Sequence, residues 1–377
     1  MGPQKRRSLP ICRALLSLLC LGTLAGKAAA DQVAPAPGLV RETLAGSIYL
    51  FRASSELDFW TATNTVVIVN DDDVTVFDSS TRPATARLVI AEIRKLTGKP
   101  VRTLINSHWH MDHWGGNGEY ARAFPGLRII ATVETRDYMS RMGGRFFADE
   151  VGVDRSRAAL EAAIRSGKQG DGTPLTPELR SKREARLEET VRIARELEEA
   201  PRVLPNLVYR DALTFWSGTR EFRLWSATGD ASGSTVLYLP GDQVLVMGDV
   251  LVSPEDGNGP PPWTTNSYAV TPWLESLRRA EALDATVIVP GQGPAFRDQS
   301  YLRVTRELFE GVIGQVHAAL ERGAVKLSEV QATVNLDAVG RRYPPGGAQP
   351  SAEFRSLVTR LVRKAHQEAL DGAANGD

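Results

Sequence analysis

Short apolar runs separated by turn-forming residues fill the first part of the chain. Residues 48–51, 65–69, 74–77 and 101–105 are each four or five residues long and rich in β-branched or large apolar side chains. Runs of this length and composition predict strands, because a helix needs a longer stretch to bury one face. Residues 70–73, Asn-Asp-Asp-Asp, lie between two of these runs and predict a hairpin turn with solvated carboxylates.

Stretches with apolar residues at helical spacing alternate with these runs and dominate the end of the chain. Residues 83–96 predict one helix, and residues 301–322, 326–334 and 354–370 predict three more near the C-terminus. Further strand patterns lie at residues 127–133, 212–216 and 221–226. This mixture predicts an α/β fold. The roughly 350 residues that follow the first 30 can form one large domain or two smaller ones.

Residues 138–205 differ in character from the strand-rich sequence around them. Thr176 can cap, and Pro177 can open, a helix that continues to about Glu199. Its apolar positions at helical spacing are Leu187, Val191 and Ala194. Arg and Glu occupy most other positions of this helix, which is typical of a solvated face and indicates no binding site by itself.

The composition narrows the classes of partner and ligand. Lys and Arg total 45, as do Asp and Glu, so the zero net charge indicates neither a nucleic-acid nor an anionic-membrane partner. Cys12 and Cys20 are the two cysteines of the sequence, and both lie in the first 30 residues. We therefore expect no disulfide and no thiolate ligand in the mature protein, so nitrogen and oxygen must hold any metal.

The first 30 residues have the three parts of a secretory signal. Residues 5–7 (Lys-Arg-Arg) are positive, residues 14–25 are mainly apolar, and residues 28–30 are three alanines before Asp31. The apolar part is too short for a membrane span. We predict cleavage before Asp31 and a periplasmic or secreted protein, with a twin-arginine route as a weaker alternative for export.

One short segment holds a concentrated set of metal-binding side chains. Three of the five histidines of the chain, His108, His110 and His113, lie here with Asp112, directly after a predicted strand. Such side chains are costly to bury at the end of a strand unless a metal ion gathers them. In an extended segment His108, His110 and Asp112 face the same way, and a turn at residues 114–117 would bring in His113.

The HxHxDH pattern of residues 108–113 resembles the motif of the metallo-β-lactamase superfamily. The resemblance implies a four-layer αββα sandwich, with the metals at one edge between the two sheets. It also implies that Asp78, after the strand pattern 74–77, orients the histidines by hydrogen bonds. Judged from the local sequence alone, Asp78 has the alternative role of N-cap for the helix 83–96.

Later segments follow the order of the family's other motifs. Residues 227–240 resemble the motif in which a glycine-flanked histidine precedes a strand ending Tyr-Leu-Pro, but Asp230 stands at the histidine position. Gly248 and Asp249 match the motif whose carboxylate bridges two metals. Residues 287–294 match the last motif, with Gln292 where a histidine is expected.

The resemblance implies two metal positions that share Asp249. The other ligands would be His108, His110 and Asp230 at one position, and Asp112, His113 and Gln292 at the other. Zinc is the expected metal, with iron or manganese as alternatives because of the extra oxygen ligands. We expect one firmly bound ion and a second that is weak or absent.

The motifs also divide the chain into regions. We predict a signal peptide at residues 1–30, a metallo-β-lactamase-like domain at residues 31–300 and a helical extension at residues 301–377. Residues 138–205 are a mainly helical insertion between two metal motifs, so we expect them near the mouth of the site, as a lid or substrate collar. The extension is expected to pack on the sandwich or to mediate self-association.

A metal ion with an open coordination position generates hydroxide from water and polarises a carbonyl or phosphoryl oxygen. We therefore expect an exported hydrolase that cleaves an ester, thioester, lactone, amide or β-lactam-type bond of a small molecule. Asp112 would orient the water or accept its proton. Two alternatives stay open, a degenerate binding protein and a dioxygenase of the same fold, in which His108, His110 and a carboxylate form the facial triad of non-haem iron.

Overall fold

A computed structural model of the protein shows two packed sheets with helices outside each. The described residues are Gly2, Ala36, 38–53, 63–142, 153–169, 172–254, 269–344 and 346–374. Within these ranges the chain forms twelve strands and ten helices. The predicted signal peptide at residues 1–30 lies, apart from Gly2, outside the described residues.

The first sheet has seven strands and changes from antiparallel to parallel pairing halfway across. In spatial order they are β1 (Leu39–Ala45), β2 (Ile48–Ala53), β3 (Thr65–Val69), β4 (Val74–Phe77), β5 (Val101–Ile105), β6 (Arg128–Thr132) and β7 (Leu207–Tyr209). The hairpin predicted at residues 70–73 joins β3 to β4, with Asp71 and Asp72 exposed as predicted and Asp73 buried, where it accepts a hydrogen bond from Ser217. Parallel pairing begins between β4 and β5, because helix α1 (Pro83–Leu96) carries the chain back to the same end of the sheet.

The second sheet has five strands in the spatial order β12-β11-β10-β9-β8. They are β8 (Ala212–Ser217), β9 (Arg220–Ala227), β10 (Ser234–Leu239), β11 (Val244–Val246) and β12 (Val287–Val289). The strands β11 and β12 run parallel, and the other neighbours pair antiparallel. The carboxyl ends of β11 and β12 therefore lie at the same edge of this sheet.

The other nine helices lie between the strands or after the last one. They are α2 (Asn117–Ala123), α3 (Val133–Met142), α4 (Val153–Ser166), α5 (Pro177–Glu199), α6 (Val270–Glu281), α7 (Ser300–Glu321), α8 (Leu327–Thr333), α9 (Asp337–Gly340) and α10 (Ala352–Ala374). Among the helices of the described ranges, none combines the length and the apolar character that crossing a bilayer requires.

Three apolar layers hold these elements together. Between the sheets, Phe77 and Ile105 of the first sheet meet Leu237 of the second. The outer face of the first sheet packs on α1 through residues such as Ile93. The outer face of the second sheet packs on α6, α7 and α10, with Trp273 of α6 in the centre. This order of layers is the predicted four-layer αββα sandwich.

The C-terminal helices belong to the same core as the second sheet. Leu308 and Phe309 of α7, together with Leu357 and Leu361 of α10, are fully buried there. Packing on the sandwich, the first of the two roles expected for residues 301–377, is therefore what the fold provides. Self-association stays a prediction.

The structure corrects two local expectations. Asp78 is not the helix cap, since Arg82 is the N-cap residue of α1 and Asp78 has a positive φ of 59°. On α5, Ala194 is buried as predicted, but Val191 is 37% exposed, and the neighbouring Ile193 and Leu197 are buried instead. Successive side chains of a helix lie about 100° apart around its axis. Moving the predicted apolar stripe by one or two residues therefore places a different face of the helix against the core.

Candidate metal centre

The histidine motif directly follows strand β5. The chain bends at Trp109 and His110 and then forms a 3₁₀ turn at Met111–His113. This turn comes earlier than the one expected at residues 114–117. Asp112 therefore enters the site from the turn, not by alternation along an extended segment as predicted. All four side chains of the motif are buried.

Two groups of side chains meet at Asp249, which lies in the turn Gly248–Val250 after β11. One group is His108, His110 and Asp249, and the other is Asp112, His113 and Asp249. Within each group the donor atoms lie no more than 4.8 Å apart. The structure thus brings five of the seven predicted ligands together, with Asp249 common to both groups.

The donor atoms at this centre fit a metal ion. Nε2 of His108 and Oδ1 of Asp249 are buried and have no hydrogen-bond partner among the described residues, while Nε2 of His113 lies 3.2 Å from Oδ2 of Asp112 and 3.4 Å from Oδ2 of Asp249. Leaving a polar atom buried and unpaired costs about 1–3 kcal/mol, so two such atoms in one place need an explanation. A cation bound between them supplies one, and imidazole nitrogen with carboxylate oxygen suits zinc, iron or manganese.

Asp78 and Ser107 hold the imidazole rings from behind. Oδ2 of Asp78 lies 2.7 Å from Nδ1 of His113, and Oδ1 of Asp78 accepts a hydrogen bond of 2.7 Å from the Ser107 backbone N–H. The Ser107 hydroxyl lies 2.9 Å from Nδ1 of His108. These contacts leave Nε2 of both rings for the centre, which is the orienting role that the resemblance implied for Asp78. No comparable pattern in the sequence indicates Ser107, because a single serine has no characteristic spacing from the other site residues.

Burial and charge set the protonation of the centre. Burial lowers the pKa of His108 well below its ordinary value, and the neighbouring imidazoles lower it further. Burial also lowers the pKa of His113, but three nearby carboxylates, Asp112 first, outweigh burial and raise that pKa well above its ordinary value. Burial raises the pKa of Asp112, yet His113 and His110 bring it to about 2. His108 is therefore a neutral donor, and a cation that binds at His113 must displace a proton.

Asp230 lies beside the centre but outside both groups. Its Oδ2 is 3.5 Å from Nδ1 of His110, and its backbone N–H donates to the Asp249 carbonyl at 3.2 Å. An aspartate side chain is shorter than histidine, so at this position it reaches the ring of His110 and does not join the group. Direct metal ligation by Asp230 stays a prediction.

Gln292 turns its amide nitrogen toward the carboxylates. Nε2 donates to Oδ2 of Asp112 at 3.1 Å and to Oδ2 of Asp249 at 3.5 Å. Oε1, the atom that would bind a metal, is buried on the other side without a partner among the described residues. Thr63 donates to the same Asp112 oxygen at 3.0 Å. Sequence reasoning did not find Thr63, because a single threonine before a strand is an ordinary strand residue.

The helical insertion contributes a wall next to the centre. Ile193 and Leu197 of α5 pack in one buried cluster with Trp109 of the histidine motif. A buried ion pair of 2.8 Å joins Arg82, at the start of α1, to Glu196 of the same helix. Because α5 is held by both contacts, its C-terminal half suits a fixed collar better than a moving lid.

The fold and the centre together define a class of protein. An αββα sandwich with two histidine–carboxylate groups, placed after β5 and β11 and sharing one aspartate, is the architecture of a metal-dependent hydrolase. The family model of the Metallo-beta-lactamase superfamily matches residues 58–292, which is more than half of the chain. The protein belongs to the metallo-β-lactamase superfamily. As a member it is a hydrolase, which confirms the expectation of an enzyme.

Alkylsulfatases are among the relatives of the chain. A linear primary-alkylsulfatase from Pseudomonas sp. is 26% identical over 296 residues, which are 78% of this chain and 52% of that protein. The chain thus spans about half the length of this curated relative. Hydrolases of this kind act on small molecules.

Among solved structures, a sec-alkylsulfatase has the same fold. A stereoselective inverting sec-alkylsulfatase from Pseudomonas sp. matches with 14% identity and a TM-score of 0.56, over 92% of this chain and 54% of that one. A metallo-beta-lactamase from Pontibacter korlensis matches with 16% identity and a TM-score of 0.48, over 72% of this chain and 99% of that one. Identities this low describe the fold and say nothing about the substrate.

Proposed function

We propose that the protein is a metal-dependent hydrolase of alkyl sulfate esters. The observation that carries the proposal is the group of His108, His110 and Asp249, whose donor atoms lie within 4.8 Å of one another, with Nε2 of His108 and Oδ1 of Asp249 buried and unpartnered among the described residues. The substrate class is taken from the relative that matches 78% of the chain and is named a primary-alkylsulfatase. Hydrolysis of such an ester adds one water molecule and releases an alcohol and inorganic sulfate.

The residues at the centre divide into ligands and residues that orient them. His108, His110 and Asp249 would hold the ion, which we propose is zinc. A bound zinc ion lowers the pKa of a water ligand and polarises an ester oxygen. Asp112, beside this group and already a strong hydrogen-bond acceptor, would orient the attacking water. Asp78 keeps the ring of His113 in place while this occurs.

An iron oxygenase would use the same three ligands, because two histidines and one carboxylate also form the facial triad. The relative named a linear primary-alkylsulfatase favours hydrolysis instead. Metal analysis and oxygen uptake, measured on one preparation of the purified protein, distinguish a hydrolase from an oxygenase. Iron as the native metal, together with oxygen consumption during turnover, would overturn the hydrolase proposal.

A substrate panel tests the reaction. The purified zinc protein would be given alkyl sulfates of increasing chain length, an aryl sulfate, a chromogenic carboxylic ester and a chromogenic β-lactam, with released sulfate measured by ion chromatography. We expect sulfate release from alkyl sulfates, and its loss in Asp249→Ala together with the metal. Asp73→Asn changes a buried carboxylate in the distant β3–β4 turn and serves as control. Hydrolysis of the β-lactam without any sulfate release would contradict the proposal.

A further inference from the structure

Asp112 accepts hydrogen bonds from two uncharged donors, Thr63 and Gln292, which are far apart in the sequence. The Thr63 hydroxyl donates to its Oδ2 at 3.0 Å, and the Gln292 amide donates to the same oxygen at 3.1 Å. Both donors are nearly inaccessible, at 3% and 1% exposure. Two hydrogen bonds to one carboxylate oxygen in a buried site fix its orientation more firmly than either bond alone.

The backbone makes the two donors one structural unit. Thr63 and Gln292 form an antiparallel β-bridge, and the Asn64 backbone N–H donates to the Gly291 carbonyl at 2.8 Å. The Asn64 side chain adds two more bonds, to the carbonyls of Pro290 at 2.7 Å and Gly293 at 2.8 Å. The segment before β3 and the loop after β12 are thus locked together at the edge of the centre.

Both donors bind the oxygen of Asp112 that also contacts His113. Nε2 of His113 lies 3.2 Å from this Oδ2, so Thr63, Gln292 and His113 all contact the same oxygen. Gln292 also extends its N–H toward Asp249. Turning the amide over would place Oε1 against two carboxylate oxygens, which is repulsive, so the carboxylates themselves select the donor orientation.

We propose that Thr63 and Gln292 are positioning residues that close the group of Asp112, His113 and Asp249 with hydrogen bonds, where a second metal ion would otherwise bind. Asp112 is then fixed beside a single ion held by His108, His110 and Asp249. The catalytic consequence rests on the proposed hydrolase function. The number of zinc ions bound per chain does not depend on that function. An experiment can therefore contradict either proposal without contradicting the other.

The first test counts ions by native mass spectrometry after metal-free protein is loaded with zinc. The wild type is expected to bind one ion per chain and Gln292→His two, because the imidazole supplies a ligand in place of a donor. Gln292→Met, of similar length, removes the donor without adding a nitrogen ligand, so we expect it to admit a second ion that binds more weakly than in Gln292→His. If Gln292→Met binds one ion, as the wild type is expected to do, a missing ligand and not a hydrogen bond keeps the second ion out, and the proposal fails. Two ions of similar affinity in the wild type would overturn the proposal, whatever the substrate proves to be.

The second test compares Thr63→Val, which removes the hydroxyl, with Thr63→Ser, which keeps it. For alkyl sulfate hydrolysis we expect Thr63→Val to lower kcat by about 10–100-fold with KM nearly unchanged, a typical loss for a residue that orients a catalytic group. Thr63→Ser should restore most of kcat, and equal melting temperatures would show that both variants fold. Equal kcat in Thr63→Val and wild type, or equal losses in both variants, would refute a positioning role.

Discussion

At the scale of single residues, the centre depends on how buried charges are paired. Asp78 has a positive φ of 59°, an unusual backbone conformation for an aspartate, and it uses both carboxylate oxygens on the histidine motif. Burial raises the pKa of Asp78, and the charge and hydrogen bond of His113 oppose that rise. The pair therefore holds the His113 ring with Nε2 toward the ligands.

Asp78→Asn tests whether Asp78 supports the zinc ligands. The amide keeps the shape of the side chain but removes the negative charge that holds the Ser107 backbone, and the Ser107 hydroxyl contacts Nδ1 of the ligand His108, so we expect zinc affinity to fall by about 10–100-fold in a chelator competition assay. Asp73→Asn, also at a buried carboxylate, should leave the affinity unchanged. Equal zinc affinities of the wild type and Asp78→Asn would show that Asp78 does not orient the metal ligands.

Asp230 can be separated from the true ligands by the same assay. Because Asp230 contacts His110 and lies outside both donor groups, Asp230→Ala should keep one zinc per chain with only a modest loss of affinity. Asp249→Ala should lose the ion. If Asp230→Ala loses zinc as completely as Asp249→Ala, then Asp230 is a direct ligand, as the resemblance implied.

Prediction from the sequence succeeded at residues that carry a spacing signal. Three histidines and an aspartate within six residues, and Asp249 after a short apolar run, converge as expected. Ser107 and Thr63 act through single hydroxyl groups, which contact the side chains of His108 and Asp112. No sequence pattern distinguishes such a hydroxyl from one that forms a hydrogen bond within a sheet. The orientation of Gln292 depends on neighbours brought together by the fold, so sequence alone could not supply it.

At the scale of elements, the sequence pattern of helix α5 predicts where the helix begins but only part of its buried face. Its start was predicted from the Thr176 cap, whose hydroxyl accepts a hydrogen bond of 3.2 Å from the Leu179 N–H. The predicted stripe is right at Ala194 and wrong at Val191, because a helix dominated by Arg and Glu offers few apolar positions to choose between. The buried face of α5 packs against Trp109 and Trp114, which are distant in sequence.

Leu197→Ala tests whether α5 supports the centre. Leu197 is 2% exposed against the cluster that contains Trp109, so truncation should lower the free energy of unfolding by about 2–5 kcal/mol, measured by urea denaturation. Val191→Ala, on the exposed face of the same helix, should change it by less than about 0.5 kcal/mol. Similar effects of the two substitutions would show that the helix is not anchored through this face.

At the scale of the whole molecule, the two sheets place the chemistry where strands end together. Asp78, His108, Asp249 and Gln292 each follow the carboxyl end of a strand, β4, β5, β11 and β12 respectively. These strands pair in parallel within their own sheets, so the loops after them emerge at common edges. The order of motifs along the chain therefore predicted the architecture well, even where individual ligands were replaced.

The central claim is that this edge holds one catalytic zinc ion, and a titration of metal-free protein tests it most directly. Zinc is added in substoichiometric steps while hydrolysis of an alkyl sulfate is followed by the release of inorganic sulfate. We predict that the rate rises in proportion to zinc and stops rising at one ion per chain, and that Asp249→Ala stays inactive throughout. Full activity without zinc, or no sulfate release at any ratio of zinc to protein, would contradict the account.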